Sequence, residues 1–327
     1  MSHFIPRKIW QVPEKEITPE TVFQDRRQFL RLMGFAATSL AGALVAPNVL
    51  AQQRPENSGT LGHVVNTNFS ALPRVEPNPD YSIRRPLTTE QVALKYNNFY
   101  EFSPEKENVW QTVGRFQTRP WEIKISGLVE KPGVYDIDDL MRSMPLEERT
   151  YRMRCVEAWA MVVPWYGFPL QALMDKVRPK GSARHIRFKS FFSPEVAPGQ
   201  EKYADLPWPY SEGMTIQEAE NELTFLAIGI YGHTLPPQHG GPIRLVTPWK
   251  YGYKSIKSIN EIEFTDTQPA SFWNTVIPEE YSYQANVDPE VTHPRWSQKR
   301  EKMLGTGEVY ATQKYNGYGD QVSYLYK

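Results

Sequence analysis

The sequence has 327 residues, 37 basic and 37 acidic, for a formal net charge of zero; it offers no basic excess for nucleic acid or an anionic membrane surface. Its single cysteine, Cys155, excludes an intrachain disulfide, and 28 prolines with 9 Trp, 18 Tyr and 15 Phe favour a loop- and strand-rich fold over a helical bundle. Stability must come from burial, and from any ligand that binds the folded state alone.

Residues 1–24 are a polar leader. Asp25-Arg26-Arg27-Gln28-Phe29-Leu30-Arg31 then introduces an apolar run from Leu32 to Ala46, ended by Pro47, and Val49-Leu50-Ala51 offers small residues for cleavage before Gln52. This pattern predicts a twin-arginine signal peptide over residues 1–51. The apolar run is about 15 residues, short of the roughly 20 that span a bilayer, so a membrane anchor is the weaker reading. The twin-arginine pathway carries proteins already folded, and here it would deliver an unpaired thiol to an oxidising compartment.

Residues 52–86 are rich in Pro, Asn and Ser and predict an extended surface segment. Residues 87–327 are long enough for one large domain. Thr88-Thr89-Glu90-Gln91 resembles a capping box opening a short helix through Lys95. An aromatic loop with two amides follows, Tyr96-Asn97-Asn98-Phe99-Tyr100-Glu101-Phe102. Alternation over Trp121–Ile125 predicts a strand ending at Ser126-Gly127, and Asp136–Met141 predicts a helix with acids in its first turn. Thr150–Val156 alternates again, with Tyr151, Met153 and Cys155 on one face and Arg152, Arg154 and Val156 on the other. Further strands are expected at His185–Phe188, Leu223–Tyr231, Ile243–Thr247, Ile256–Ile259 and Glu261–Phe264. The final 60 or so residues, aromatic and without long periodic runs, should wrap the domain. The fold class expected is α+β, mixed and strand-rich.

Cys155 carries the main chemical ambiguity. A lone buried cysteine is most often a small hydrophobe. Arg152 and Arg154 flank this one, and cationic neighbours lower a thiol pKa and favour a nucleophile or metal ligand. One thiolate is too few for a zinc ribbon or an iron–sulfur cluster, so a metal here would need a cofactor supplying its other ligands. His239-Gly240-Gly241-Pro242-Ile243-Arg244 and Trp249–Lys257 form a second candidate. Its glycines allow close backbone approach, and its Lys and Ser residues could hold an anionic group such as a phosphate. The plain alternative is a solvated basic loop. Gly305-Thr306-Gly307 reads as a turn rather than a dinucleotide fingerprint, and neither HExxH nor Gly-x-Ser-x-Gly occurs.

From Arg152 through Cys155-Val156-Glu157-Ala158-Trp159 to Trp165, the chain resembles the catalytic subunits of periplasmic protein-methionine-sulfoxide reductases, molybdopterin enzymes of the sulfite-oxidase fold. The resemblance extends to Tyr96–Phe102, Pro145–Arg149, Pro248–Gly252, His293–Gln298 and the twin-arginine leader. It implies a single molybdenum–molybdopterin per chain, with the Cys155 thiolate and two dithiolene sulfurs on the metal, in keeping with soft-ligand preference. It further implies that Asn97, Tyr100 and Glu101 contact the cofactor, that Ser190, His239 and Arg244 line the pterin, and that Ser255, Ile256 and Lys257 lie near its phosphate end. Ser190 and His239 depart from the family pattern, which more often has Thr and Asn. Trp159, Trp165 and Tyr166 are candidates for an apolar wall of an open substrate cleft. The reaction implied is reduction of methionine sulfoxide residues by oxygen-atom transfer. The chain has neither a haem motif nor a nicotinamide fingerprint, so electrons would come from outside it, and the resemblance implies a membrane haem-binding subunit fed by the quinone pool as their source. Two readings compete: a sulfite-oxidising enzyme on the same fold, and an exported aromatic-rich binding module with an inert cysteine.

Overall fold

The computed structural model describes Ser70 and residues 72–327. The twin-arginine leader and all of the extended segment up to residue 71 except Ser70 lie outside the described residues.

Among the described residues, twelve strands form two sheets. In chain order they are β1 (Glu122–Gly127), β2 (Gly133–Asp136), β3 (Glu147–Arg154), β4 (Trp159–Pro169), β5 (His185–Ser190) and β6 (Ser211–Thr215). Then come β7 (Phe225–Ile230), β8 (His233–Thr234), β9 (Arg244–Val246), β10 (Ile259–Thr265), β11 (Arg300–Met303) and β12 (Val309–Ala311). The first sheet has the order β2-β1-β10-β5-β6, with β1 and β10 parallel. The second runs β12-β11-β4-β7-β8, with β3 paired to β4 and β9 to β7. Short helices and long connections join these strands, as an α+β chain rich in proline should.

Alternation produces β1, where Ile123 and Ile125 point into the core, and β5, where Ile186 and Phe188 do. β4 and β7 are apolar almost throughout and covered on both faces, so neither shows a period of two. That is why Trp159–Phe168, read from the sequence as an aromatic stretch, lies in the longest of the described strands. The strand predicted at Ile256–Ile259 does not form; β10 begins at Ile259, after a turn.

The expected capping box at Thr88–Gln91 does not form. Thr89 precedes the helix Glu90–Leu94 without a side-chain cap, and the Thr88 hydroxyl accepts instead from the Val162 N–H at 3.1 Å. A true capping box closes the helix Ile216–Glu220, where Thr215 and Glu218 bond reciprocally. Asp136 caps the helix Ile137–Arg142 through the N–H groups of Asp138 and Asp139. Residues 72–88 run as a strap interrupted by one 3-10 turn at Pro79–Tyr81. Leu72 N–H reaches Gly232 O at 3.2 Å, Asn78 N–H reaches Glu148 O at 2.9 Å, and Thr88 N–H reaches Val162 O at 2.9 Å. Gly305 and Gly307, both at positive φ, lie in the turn joining β11 to β12.

Candidate active site

β3 and β4 form a long antiparallel hairpin whose last pair is Arg154 with Ala160. Cys155 begins its tip. The turn is closed by Cys155 N–H to Trp159 O at 2.9 Å and Ala158 N–H to Cys155 O at 3.0 Å, with Ala158 in the left-handed region at φ 67°. The tip projects into an open cleft of about 780 Å³ including its mouth, within the size range of small-molecule and cofactor sites.

Three other segments meet Cys155 there. The loop after Glu90–Leu94 brings Asn97, Tyr100 and Glu101 to the wall, and the chain beyond β7 brings His239 and Arg244. The turn before β10 adds Ser255, Ile256 and Lys257. Ser190, at the end of β5, does not reach the wall. It is buried behind Glu101, its side chain hydrogen-bonded to the Glu101 carboxyl and to Ser258 O at 3.3 Å. The Asn97 amide nitrogen is directed at the end of the helix before it, 3.1 Å from Leu94 O.

The cysteine environment differs from the one the sequence suggested. Arg154 lowers the thiol pKa, but not enough to decide it. Burial and then the Glu157 charge push it up, outweighing the Glu157 N–H, Lys106 and Arg154. Arg154 is 0% exposed and turns toward β11, touching Cys155 through its backbone carbonyl. Arg152 reaches Gln313 at 2.8 Å. The sulfur takes hydrogen bonds from Asn98 Nδ2 and the Glu157 N–H, both at 3.4 Å. Asn98 and Glu157 are functional neighbours that the sequence reading misses, although a carboxylate two residues past a thiol in a tight turn must lie beside it. Burial opposes ionisation of Glu157. Lys106 at 3.1 Å, Trp159 Nε1 at 3.0 Å and Asn98 Nδ2 at 3.1 Å outweigh it, leaving the carboxyl below its ordinary range.

The far wall is cationic and short of counter-charge among the described residues. Arg244 donates only to backbone carbonyls there, His239 O at 3.0 Å and Ser255 O at 3.2 Å among them, and lies over the Trp165 ring. Burial pulls its pKa down to about 9, though a guanidinium keeps its charge at neutral pH. Burial and the Arg244 charge depress Lys257, with Glu101 opposing; burial likewise drives Glu101 toward its neutral form. His239 is brought down to about 3, by burial first and then by Arg244 and Lys257. Its Nε2 is buried without a hydrogen-bond partner among the described residues. Gly240, at φ 89°, is required because a Cβ there would strike the Lys257 side chain. Gly240 thus admits a neighbouring lysine, while Gly241 admits the Leu235 backbone.

Trp159 lines the cleft, but Trp165 and Tyr166 are core residues at 1% and 2% exposure and do not form its wall. Tyr96, Tyr253 and Tyr281 stand there instead.

A buried soft donor opposite a cationic wall with an orphaned imidazole nitrogen suits a ligand that is polar and anionic at one end and metal-bearing at the other. Fold and site together define a molybdopterin-binding oxidoreductase. The family model described as oxidoreductase molybdopterin binding domain matches residues 110–273. The chain is 42% identical over 321 residues to the protein-methionine-sulfoxide reductase catalytic subunit MsrP of Burkholderia mallei, covering 97% of this chain and 93% of that protein. It belongs to the protein-methionine-sulfoxide reductase catalytic subunit family. Among solved structures, the sulfane dehydrogenase SoxCD of Paracoccus pantotrophus aligns with a TM-score of 0.47 at 14% identity. That alignment takes in 84% of this chain and 65% of SoxCD.

Proposed function

We propose that this protein is the catalytic subunit that reduces methionine sulfoxide residues in periplasmic proteins at a mononuclear molybdenum–molybdopterin site. In this reading residues 1–51 direct folded, cofactor-loaded protein to the periplasm, residues 52–86 lie on the surface, and residues 87–327 form the catalytic domain. A membrane haem-binding subunit returns electrons from the quinone pool.

The observation that carries the reading is the pairing, in one cleft, of the buried Cys155 sulfur with Arg244 and Lys257, cations without adequate counter-charge among the described residues. Cys155 would hold the metal. Arg244, Lys257 and Ser255 would hold the anionic end of the cofactor, and His239 would give its unpartnered Nε2 to the pterin. Tyr100 and Glu101, with Ser190 behind them, would line its flank, beside Asn97 and Ile256. When bound, the molybdenum centre supplies the two-electron transfer of the sulfoxide oxygen, which leaves a thioether.

The chain's own groups prepare that step. Asn98 and the Glu157 N–H fix the sulfur, and loss of the Cys155 proton on metal binding is offset by the new bond. Lys106 neutralises Glu157, so the carboxylate does not repel an anionic centre. Tyr96 and Trp159, packed edge to face at 5.2 Å, give the mouth an apolar wall suited to a methionine side chain.

The test is turnover by purified, molybdenum-loaded protein with a reduced viologen as donor and a peptide methionine sulfoxide as acceptor. Sulfite with an oxidised dye runs in parallel. Dye oxidation that depends on sulfoxide is expected; activity with sulfite alone would move the protein to the oxidase reading. Cys155→Ser should remain folded and lose turnover, and full activity in that variant would sink the ligand assignment.

A further inference from the structure

The turn that carries Cys155 is already closed by its own backbone hydrogen bonds. Further donors nevertheless reach its carbonyls, two of them from a stretch about 140 residues downstream. The Val156 carbonyl accepts from Trp296 Nε1 at 2.7 Å and from Gln298 Nε2 at 2.8 Å. The Cys155 carbonyl accepts from Arg154 Nη1. Gln298 joins the two, because its Oε1 accepts from Arg154 Nη2 at 2.9 Å. A single amide, 2% exposed, thus braces two consecutive carbonyls at the tip.

Behind this brace stands a buried charge cluster. Arg154 Nε lies 3.3 Å from the Glu301 carboxylate, which Arg85 also contacts, and Arg154 Nη2 reaches Thr312 Oγ1 at 3.3 Å. Burying Arg154 against Glu301, with the half-buried Arg85 on the same carboxylate, is costly. Closing a hairpin turn does not call for it, since tips ordinarily direct their carbonyls to water. The bonds do fix where the tip stands relative to the cleft wall, and a metal ligand tolerates only small errors of placement.

We infer that Gln298, assisted by Trp296, is a positioning residue that sets the location of the Cys155 sulfur for metal ligation. The inference rests on the reading of Cys155 as the ligand. Gln298 touches neither the sulfur nor the cleft. It acts through Arg154 and the Val156 carbonyl.

The test uses molybdenum-loaded protein carrying Gln298→Met, an unbranched side chain of similar size that removes both hydrogen bonds. Three quantities are read: molybdenum content, the paramagnetic resonance signal of the metal, and kcat and KM for a peptide methionine sulfoxide. The expected result is retained metal, a shifted and broadened signal, and kcat lower by about tenfold, with KM within about twofold of wild type. Trp296→Phe removes one donor to Val156 while keeping the ring stacked 3.9 Å from His293. It should shift the signal in the same direction by less, and it decides the matter if Gln298→Met fails to fold. A lower melting temperature with unchanged signal and unchanged kcat would assign Gln298 to stability alone and overturn the inference. Wild-type protein that binds molybdenum and turns over while both variants behave as wild type overturns the inference and leaves the proposed function standing. Wild-type protein that holds no molybdenum overturns both.

Discussion

Two sets of buried cations come from one stretch of chain, residues 239–257, and the protein treats them in opposite ways. Lys250 and Lys254 turn away from the cleft, each onto a carboxylate. Lys250 Nζ meets Glu218 at 2.6 Å, Gln284 O at 2.7 Å, and Asn286 and Tyr326 at 3.0 Å. Lys254 Nζ meets Glu212 at 3.0 Å and Tyr283 O at 2.5 Å. Arg244 and Lys257 turn toward the cleft, where Arg244 has only carbonyls among the described residues and Lys257 has one glutamate near it, Glu101. The first set is neutralised within the fold and serves stability. The second leaves positive potential directed into a cavity, which an arriving anion would stabilise. Which cations are candidates to bind ligand is therefore read from their counter-charges, not from their clustering in the sequence.

The largest expected effect would come from Arg244→Met. Removing a buried cation from an anionic ligand should cost about 3 kcal/mol, roughly a hundredfold in cofactor affinity. The melting temperature of the cofactor-free protein should stay within a few degrees of wild type, since no carboxylate is orphaned. Cofactor content at wild-type level with a collapsed melting curve would erase the distinction between the two sets.

Lys250→Met should do the reverse. It strands Glu218, whose carboxyl is held below its ordinary range against the opposing effect of burial, by Lys250 first and then by Tyr326 and Thr215. A loss of about 3–5 kcal/mol is expected in denaturant unfolding, with unchanged cofactor content per folded molecule.

His239 offers a pH test. Its folded pKa is near 3, below the unfolded value of 6.5, so between those values the unfolded chain binds the extra proton. Stability therefore falls as pH drops below 6.5, with a slope up to about 1.4 kcal/mol per pH unit. His239→Asn should flatten this limb in cofactor-free protein, and parallel wild-type and variant curves from pH 6.5 to 4 would count against it. The smallest effect belongs to Tyr326→Phe. It removes a hydroxyl that accepts from Trp249 Nε1 at 2.8 Å and donates to Glu218 at 2.7 Å, and should cost about 1 kcal/mol by thermal unfolding.

Much of this site was legible in the chain. The solitary Cys155 and the run Ser255-Ile256-Lys257 could be named from the sequence, as could the amide-bearing loop at Asn97–Glu101, and all of them stand on the cleft wall. The strands β1 and β5 follow from alternation because each has one covered and one open face. Other features were hidden for identifiable reasons. β4 and β7 are covered on both sides and lose their period. Trp165 and Tyr166 could not be told from Trp159, because aromatic residues on successive pleats look alike in a sequence. Arg154 does lower the thiol pKa, as adjacency suggests, but burial and the Glu157 charge, neither legible from adjacency to the arginines, outweigh it.

By itself the sequence determined which atoms are available: one sulfur, a set of cations, and alternating apolar runs that mark strands such as β1 and β5. Only the tertiary structure decided where those atoms point. Counter-charges such as Glu218 and Glu212, and the brace from Gln298, come from segments far along the chain. Their pairing depends on which distant segments the fold brings to each buried cation. Local propensity sets the strand. The cost of leaving a buried charge or carbonyl unpaired selects its partner, and that cost exists only once the fold has excluded water.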